Sequence, residues 1–162
     1  MTIEEYNICV NQIGPSLLRF VNSNLNNKDV SKDIVQDCFY VLWQNRKTVF
    51  IEKAKSYLFS VGHHKLMDTY RAVKNTVDIA NINFSVDSEF IEFSTKNLVK
   101  YGLSKLKPEY REIITLRDLE GYNYKEIEKI TGLSESNVKV NLFRARRELK
   151  AVISEVEVTN EN

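Results

Sequence analysis

The chain has little from which to build a covalent scaffold, a membrane anchor or a catalytic centre. Cys9 and Cys38 are the only cysteines in 162 residues. They form neither a disulfide framework nor a zinc-like spacing, as expected of a reducing interior, and read as packing residues. No apolar run approaches the roughly 20 residues needed to span a bilayer. The first residues also lack the basic and apolar segments of a signal peptide, so a cytoplasmic protein is expected. No Ser/His/Asp or Cys/His set stands in an order that suggests nucleophilic catalysis. His64 and Asp68 lie one helical turn apart beside His63, but no third ligand stands near enough to complete a metal site. No catalytic residue, metal or cofactor is therefore expected, and the chain does not read as an enzyme.

Charge of one sign is also scarce overall, with a formal net charge of +1. The distribution is uneven, however. Residues 1–75 carry 10 basic against 7 acidic side chains and residues 101–150 carry 11 against 8. Between them, residues 76–100 hold two lysines against four acids, and residues 151–162 have three glutamates and no base. A chain of this length makes one large or two small domains. Two basic ends suit two nucleic-acid-facing domains.

What is present is clearest between Leu106 and Lys150, which spells three short helices with their punctuation. Pro108 suits a first helical turn, and Tyr110, Ile113, Ile114 and Leu116 follow at helical spacing until Gly121. Asn123 and Glu126 have the spacing of a capping box for a second helix, apolar at Tyr124, Ile127 and Ile130 and ended by Gly132. Leu133 fills the turn, and Ser134 caps a third helix whose buried stripe is Val138, Leu142, Ala145 and Leu149. Its opposite side carries Ser136, Asn137, Val140, Phe143, Arg144 and Arg147, flanked by Lys139. A short helix, a tight glycine-containing turn and a basic second helix form the helix-turn-helix that enters the DNA major groove. A basic helix face taken alone is ordinarily just solvated. The capped pair in front of it makes DNA reading the stronger interpretation.

In chain order, residues 3–24 read as a helix through Ile8, Cys9, Ile13, Leu17 and Phe20, with Gly14-Pro15 bending or splitting it. Ser31 is expected to cap a second helix with the apolar stripe Ile34, Val35, Cys38, Phe39, Leu42 and Trp43 and the polar face Asp33, Gln36 and Asp37. Residues 45–53 read as a loop. A third helix spans 54–71 through Tyr57, Leu58, Val61, Leu66 and Met67. Residues 73–94 show no sustained period and read as a linker, though Ile79, Ile82, Phe84, Phe90 and Phe93 make it too apolar for a plain spacer. The expected organisation is all-α: a helical domain over 1–75, an acidic linker over 76–100, a helix-turn-helix domain over 101–152 and an acidic tail over 153–162.

Two blocks and the helix-turn-helix together resemble the extracytoplasmic-function sigma factors of the sigma-70 family, over nearly the whole chain. The block Asp33-Ile34-Val35-Gln36-Asp37-Cys38-Phe39 with Leu42-Trp43 resembles the region 2 helix that grips the clamp helices of RNA polymerase. The segment from Tyr57-Leu58 to Asp68-Thr69-Tyr70-Arg71 resembles the helix facing the melted −10 element. Tyr110-Arg111, Leu116-Arg117-Asp118-Leu119-Glu120-Gly121, Tyr124-Lys125-Glu126-Ile127, Val138-Lys139 and Arg144-Ala145-Arg146 fall in the order of region 4. His64 stands where the family usually has Asn, Gly62-His63 replaces Ala-Arg, and Val140-Asn141 replaces Ser-Arg.

The resemblance implies a promoter-specificity subunit with core RNA polymerase, promoter DNA and an anti-sigma factor as partners, and a linker running through the polymerase RNA channel. It implies that Asp33, Gln36 and Asp37 contact polymerase, although such residues on an exposed face are otherwise simply solvated. Ser136, Asn137, Lys139, Val140 and Arg144 would meet −35 bases, with Arg146 or Arg147 on phosphates. The −10 strand would meet Tyr57, His64, Asp68 and Arg71. A loop carrying Asn45, Arg46, Thr48 and Phe50 would form the rim of a pocket for an unpaired base. Phe50 has a competing reading as a core residue, and Trp43 and Phe39 fit the core better than a base stack. Two other functions fit parts of the chain: a free-standing helix-turn-helix regulator, and a metal-dependent hydrolase built on His64 and Asp68.

Overall fold

A computed structural model describes residues 1–75 and 95–161, which are helical and without strands. The apolar residues read above as linker, Ile79 to Phe93, lie outside the described residues. Helix α1, Ile3–Leu25, starts at a capping box in which Thr2 Oγ1 accepts from Glu5 N–H at 3.1 Å and Glu5 accepts from Thr2 N–H at 2.7 Å. It ends at Asn26, left-handed at φ 49°, a conformation asparagine tolerates. Pro15 does not split it. The ring removes one donor to the carbonyl of Asn11, but both residues face solvent, where water takes the vacated acceptor.

Helix α2, Lys28–Gln44, is capped by Asn27 rather than Ser31. Asn27 has the extended backbone that a cap requires and accepts from Val30 N–H at 3.1 Å. Ser31 lies a turn inside and donates back to the Asn27 carbonyl at 2.6 Å. Helix α3, Ile51–Asn75, is longer at both ends than its apolar periodicity indicates. The three helices enclose Leu17, Phe20, Leu25, Cys38, Leu42, Ala54, Leu58, Phe59 and Leu66, all fully buried. Burial pushes the Cys38 thiol up to about 12, in keeping with a packing residue and not a reactive one. A Cβ on Gly62 would lie 3.2 Å from Leu17 Cδ1, so alanine here requires the Leu17 side chain to give by a few tenths of an ångström.

Helix α4, Thr95–Lys105, begins inside the stretch read as linker. Next come α5, Pro108–Ile114, and a π-helical turn, Thr115–Leu119, where one continuous helix is expected. Here Glu120 N–H bonds the carbonyl of Thr115, five residues back, at 2.9 Å. Such widened turns concentrate at functional positions. Helix α6, Tyr124–Thr131, has the expected Asn123/Glu126 capping box at 2.8 and 2.9 Å and ends at Gly132 with φ 77°. Helix α7, Glu135–Glu161, starts where Ser134 Oγ accepts from Asn137 N–H at 3.2 Å, and it continues as one helix through the acidic end of the chain. Val138, Leu142 and Ala145 are buried and Leu149 half-buried.

Helix α4 can lie against α7 only because residue 102 has no side chain. A Cβ there would sit 2.5 Å from Leu149 Cδ1 and 3.4 Å from Ile153 Cγ1. Gly102→Ala should therefore cost about 1–3 kcal/mol through overpacking, read as a lower midpoint of chemical unfolding.

Candidate nucleic-acid and polymerase interfaces

The outward side of α7 is open. Ser136, Asn137, Lys139, Val140, Arg144, Arg146 and Arg147 are all exposed, because the buried stripe of the helix claims only Val138, Leu142 and Ala145. Two of the cations are already engaged within the domain. Arg146 forms a two-pronged ion pair with Asp118 in the π turn, at 3.0 and 2.5 Å, and Lys139 lies 3.5 Å from Glu135 one turn earlier. The pair with Asp118 orients Arg146 along the domain. Phe143, 66% exposed, stands beside Val140 on the same face, with the Arg147 guanidinium 5.9 Å from its ring.

At the other end of the molecule, His64, Asp68 and Arg71 are exposed on α3 and Tyr57 is half-buried. At 100° per residue they share one side of the helix, opposite Phe59, His63 and Tyr70. Asp68 and Arg71 form an exposed pair at 3.4 Å. His64 Nδ1 lies 2.7 Å from the Ser60 carbonyl. In the preceding turn the donors are turned inward on their own backbone. Asn45 Nδ2 donates to the Val41 carbonyl at 2.9 Å and Thr48 Oγ1 to the Asn45 carbonyl at 3.0 Å. Arg46 donates to the Trp43 carbonyl at 2.9 Å with its guanidinium 4.1 Å from the Trp43 ring. Phe50 is not a core residue. It is 72% exposed because its neighbour Val49 takes the buried place.

Asp33, Gln36 and Asp37 are exposed on α2, clear of its buried stripe, with Asp37 3.6 Å from Lys65 of α3. Next to them Tyr6, Val10, Gln36, Tyr40 and Trp43 line a shallow groove between α1 and α2. His63 and His64 do not converge on an ion. His63 Nδ1 lies 2.5 Å from Glu112 Oε1, while His64 turns to its own helix. Among the described residues no three His, Cys, Asp or Glu side chains gather, and no helix is long and apolar enough to cross a membrane.

Sequence reasoning missed the seam that joins the two ends. Phe59 of α3 sits between Phe20 and Tyr122, with ring centroids 5.3 and 5.0 Å away. Around it, Arg19 makes a two-pronged bond to Glu120 at 2.8 and 2.9 Å, and Asn24 Nδ2 donates to Thr115 Oγ1 at 2.9 Å. Burial pushes the Glu112 carboxyl up, and the bond to His63 pulls it back. Thr115, a polar residue between Ile114 and Leu116, was the only local signal of this contact, since Asn24 is hidden in a largely polar run from Asn22 to Asn27.

Residues 98–149 match the family described as sigma-70, region 4. Over 159 residues the chain is 32% identical to the ECF RNA polymerase sigma factor SigM of Bacillus subtilis, covering 94% of this chain and 95% of that protein. Its fold is similar to the sigma factor RpoE in complex with the anti-sigma factor NepR from Bartonella quintana, at a TM-score of 0.78 and 20% identity over 94% of this chain and 98% of that one. It is also similar to CnrH in complex with the cytosolic domain of CnrY, at a TM-score of 0.69 and 24% identity over 93% of this chain and 88% of that one.

Because Phe50 contributes little to the core, Phe50→Ala should leave the thermal midpoint of the protein nearly unchanged. A loss approaching the about 3–5 kcal/mol of a buried phenylalanine would return it to the core.

Proposed function

The chain belongs to the extracytoplasmic-function sigma factors of the sigma-70 family, and from that membership we propose how its parts divide the work of a promoter-specificity subunit. It binds core RNA polymerase and directs promoter recognition and transcription initiation. Sigma factors are regulators, and this one acts in the cytoplasm without catalysing a reaction of its own. The observation that carries the division is the exposure of three separate polar faces, on α2, α3 and α7, each outside the apolar stripe of its helix.

The domain of residues 101–152 reads the −35 element as duplex. Ser136, Asn137, Val140 and Arg144 approach base edges, and Lys139 reaches guanine or phosphate. Arg147 holds phosphate, with Arg146 positioned by Asp118 at its side. The domain of residues 1–75 holds polymerase through Asp33, Gln36 and Asp37. It meets the unpaired −10 strand with Tyr57, His64, Asp68 and Arg71, and with the rim of Asn45, Arg46, Thr48 and Phe50. Phe50, exposed and aromatic, is the platform on which an extruded base stacks. An anti-sigma factor holds the protein in reserve. This follows the relatives of similar fold, which were solved with the anti-sigma factor NepR and with the cytosolic domain of CnrY.

Each basic domain has a surplus of only about three charges, too few to hold DNA tightly alone at physiological salt. Purified protein with core enzyme and a genomic promoter library should yield specific transcripts. Nanomolar binding of one operator by the protein alone, without effect on core polymerase, would instead make it a free-standing regulator.

Arg144→Ala should lose roughly 1–3 kcal/mol and relax preference at one or two −35 positions. A uniform loss across sequences would make Arg144 a phosphate contact. Gln36→Ala with Asp37→Ala should weaken core binding in titrations while the unfolding midpoint stays put. Equal affinities would remove this face from the interface.

A further inference from the structure

We propose that the cavity between α1, α4 and α5 is a binding site for a free nucleoside polyphosphate, separate from the faces for polymerase and promoter DNA. Its volume is about 570 Å³, within the roughly 300–1,000 Å³ of small-molecule pockets. Two helices line it with matching steps of three, one and three residues. Helix α4 contributes Lys96, Val99, Lys100 and Leu103. Helix α1 contributes Arg19, Asn22, Ser23 and Asn26. Each set is one face of its helix.

The charge of the lining identifies the ligand as an anion. Arg19, Lys96, Lys100 and Arg111 are four cations around one cavity, and among the described residues no acidic side chain lines it. The chain as a whole has 23 basic and 22 acidic side chains, so this single sign is a local feature and not a reflection of composition. Arg19 is held by Glu120. Lys96 and Lys100 are exposed, whereas Arg111 of α5 is only 4% exposed. A buried cation acts through a lower dielectric than a surface one and attracts an anion more strongly. Lysine ammonium groups bind phosphate as point charges, and a guanidinium can hold it with two parallel bonds.

The rest of the lining calls for more than an inorganic ion. Val99, Leu103 and Leu119 give the cavity an apolar wall, and Leu119 is 45% exposed despite its size. Asn24 borders the same cavity with its amide orientation fixed. Its Nδ2 donates to the Phe20 carbonyl, which can only accept, and to Thr115 Oγ1, both at 2.9 Å. Oδ1 is left as an acceptor, buried with no protein donor, a costly state that a ligand donor relieves. A nucleotide whose base carries an amino group combines these features: phosphates for the cations, a flat apolar ring for the leucines and a donor for Asn24. None of these side chains belongs to the faces assigned above to polymerase, the −10 strand or the −35 duplex.

The test is calorimetric titration of the full chain alone with ATP and, in parallel, GTP. At least one should bind at one site per chain and raise the thermal midpoint. Lys96→Ala with Lys100→Ala should raise the Kd about tenfold or more, as loss of charged hydrogen bonds does. Both side chains are exposed, so the unliganded variant should keep its helical circular dichroism and its midpoint. Lys125→Ala with Lys129→Ala removes the same charge at the same spacing from the exposed side of α6, and should change the Kd by less than about twofold. Inorganic tripolyphosphate, which has no base, should bind about tenfold more weakly than the nucleotide.

Absence of binding by both nucleotides would overturn the proposal. Equal losses from the two lysine pairs would reduce it to general attraction between charges. Tripolyphosphate binding as tightly as the nucleotide would make the cavity an inorganic anion site. A short thymidylate strand that binds as tightly, and is lost with Lys96 and Lys100, would make it a contact for a nucleic-acid backbone. No polymerase is present in these titrations, so their outcome stands apart from that of the promoter-transcription assay.

Discussion

The meeting of Phe59 with Tyr122 is the constraint on which the arrangement of the molecule depends. Phe59 already serves the N-terminal bundle by packing against Phe20. Its far side meets Tyr122, so the two cores become one continuous apolar cluster reaching Leu116, Ile127 and Val138. Apolar attraction is non-directional and would tolerate many rotations of one half on the other. The register comes from the polar rim. Glu112 and Glu120, with side chains only 3% and 4% exposed, need partners, and His63 and Arg19 supply them from the other half. Losing either partner would leave a buried carboxylate uncompensated.

The π turn belongs to the same constraint. By inserting an extra residue between α5 and Gly121, it brings Thr115 and Glu120 to α1 and leaves Asp118 facing α7, where it fastens Arg146. One local irregularity thus joins the seam between the two halves to the frame behind the outward face of α7. The helices also keep their tasks on separate sides. On α3, one side packs the bundle, a second meets the helix-turn-helix domain, and the third, with His64, Asp68 and Arg71, remains in solvent.

Much of this was legible before any coordinates. Asn123, Glu126, Gly132 and Ser134 do what their types and spacing dictate, since a cap is satisfied within four residues of itself. The α7 stripe and its polar back follow from the 3.6-residue period alone. The errors have equally local causes. Ser31 is a good cap residue, but Asn27 stands where the backbone turns and takes the role. Helix α4 starts in a stretch whose composition is acidic and irregular, because its order comes from Gly102 packing on Leu149 and not from its own periodicity. Phe50 and Val49 are adjacent and both apolar, and only the packing of α2 against α3 selects which is buried.

By itself the sequence determined every helix but α4, most of their ends, the basic outward face of α7 and the family to which the chain is similar. All of these depend on residues close together in the chain or on the order of motifs along it. Only the tertiary structure decided that Arg19 would find Glu120 across 101 residues, that Asn24 would meet Thr115, and that His63 would meet Glu112. Partnerships of that kind are selected by the burial of surfaces far apart in the chain, and no short-range pattern records them.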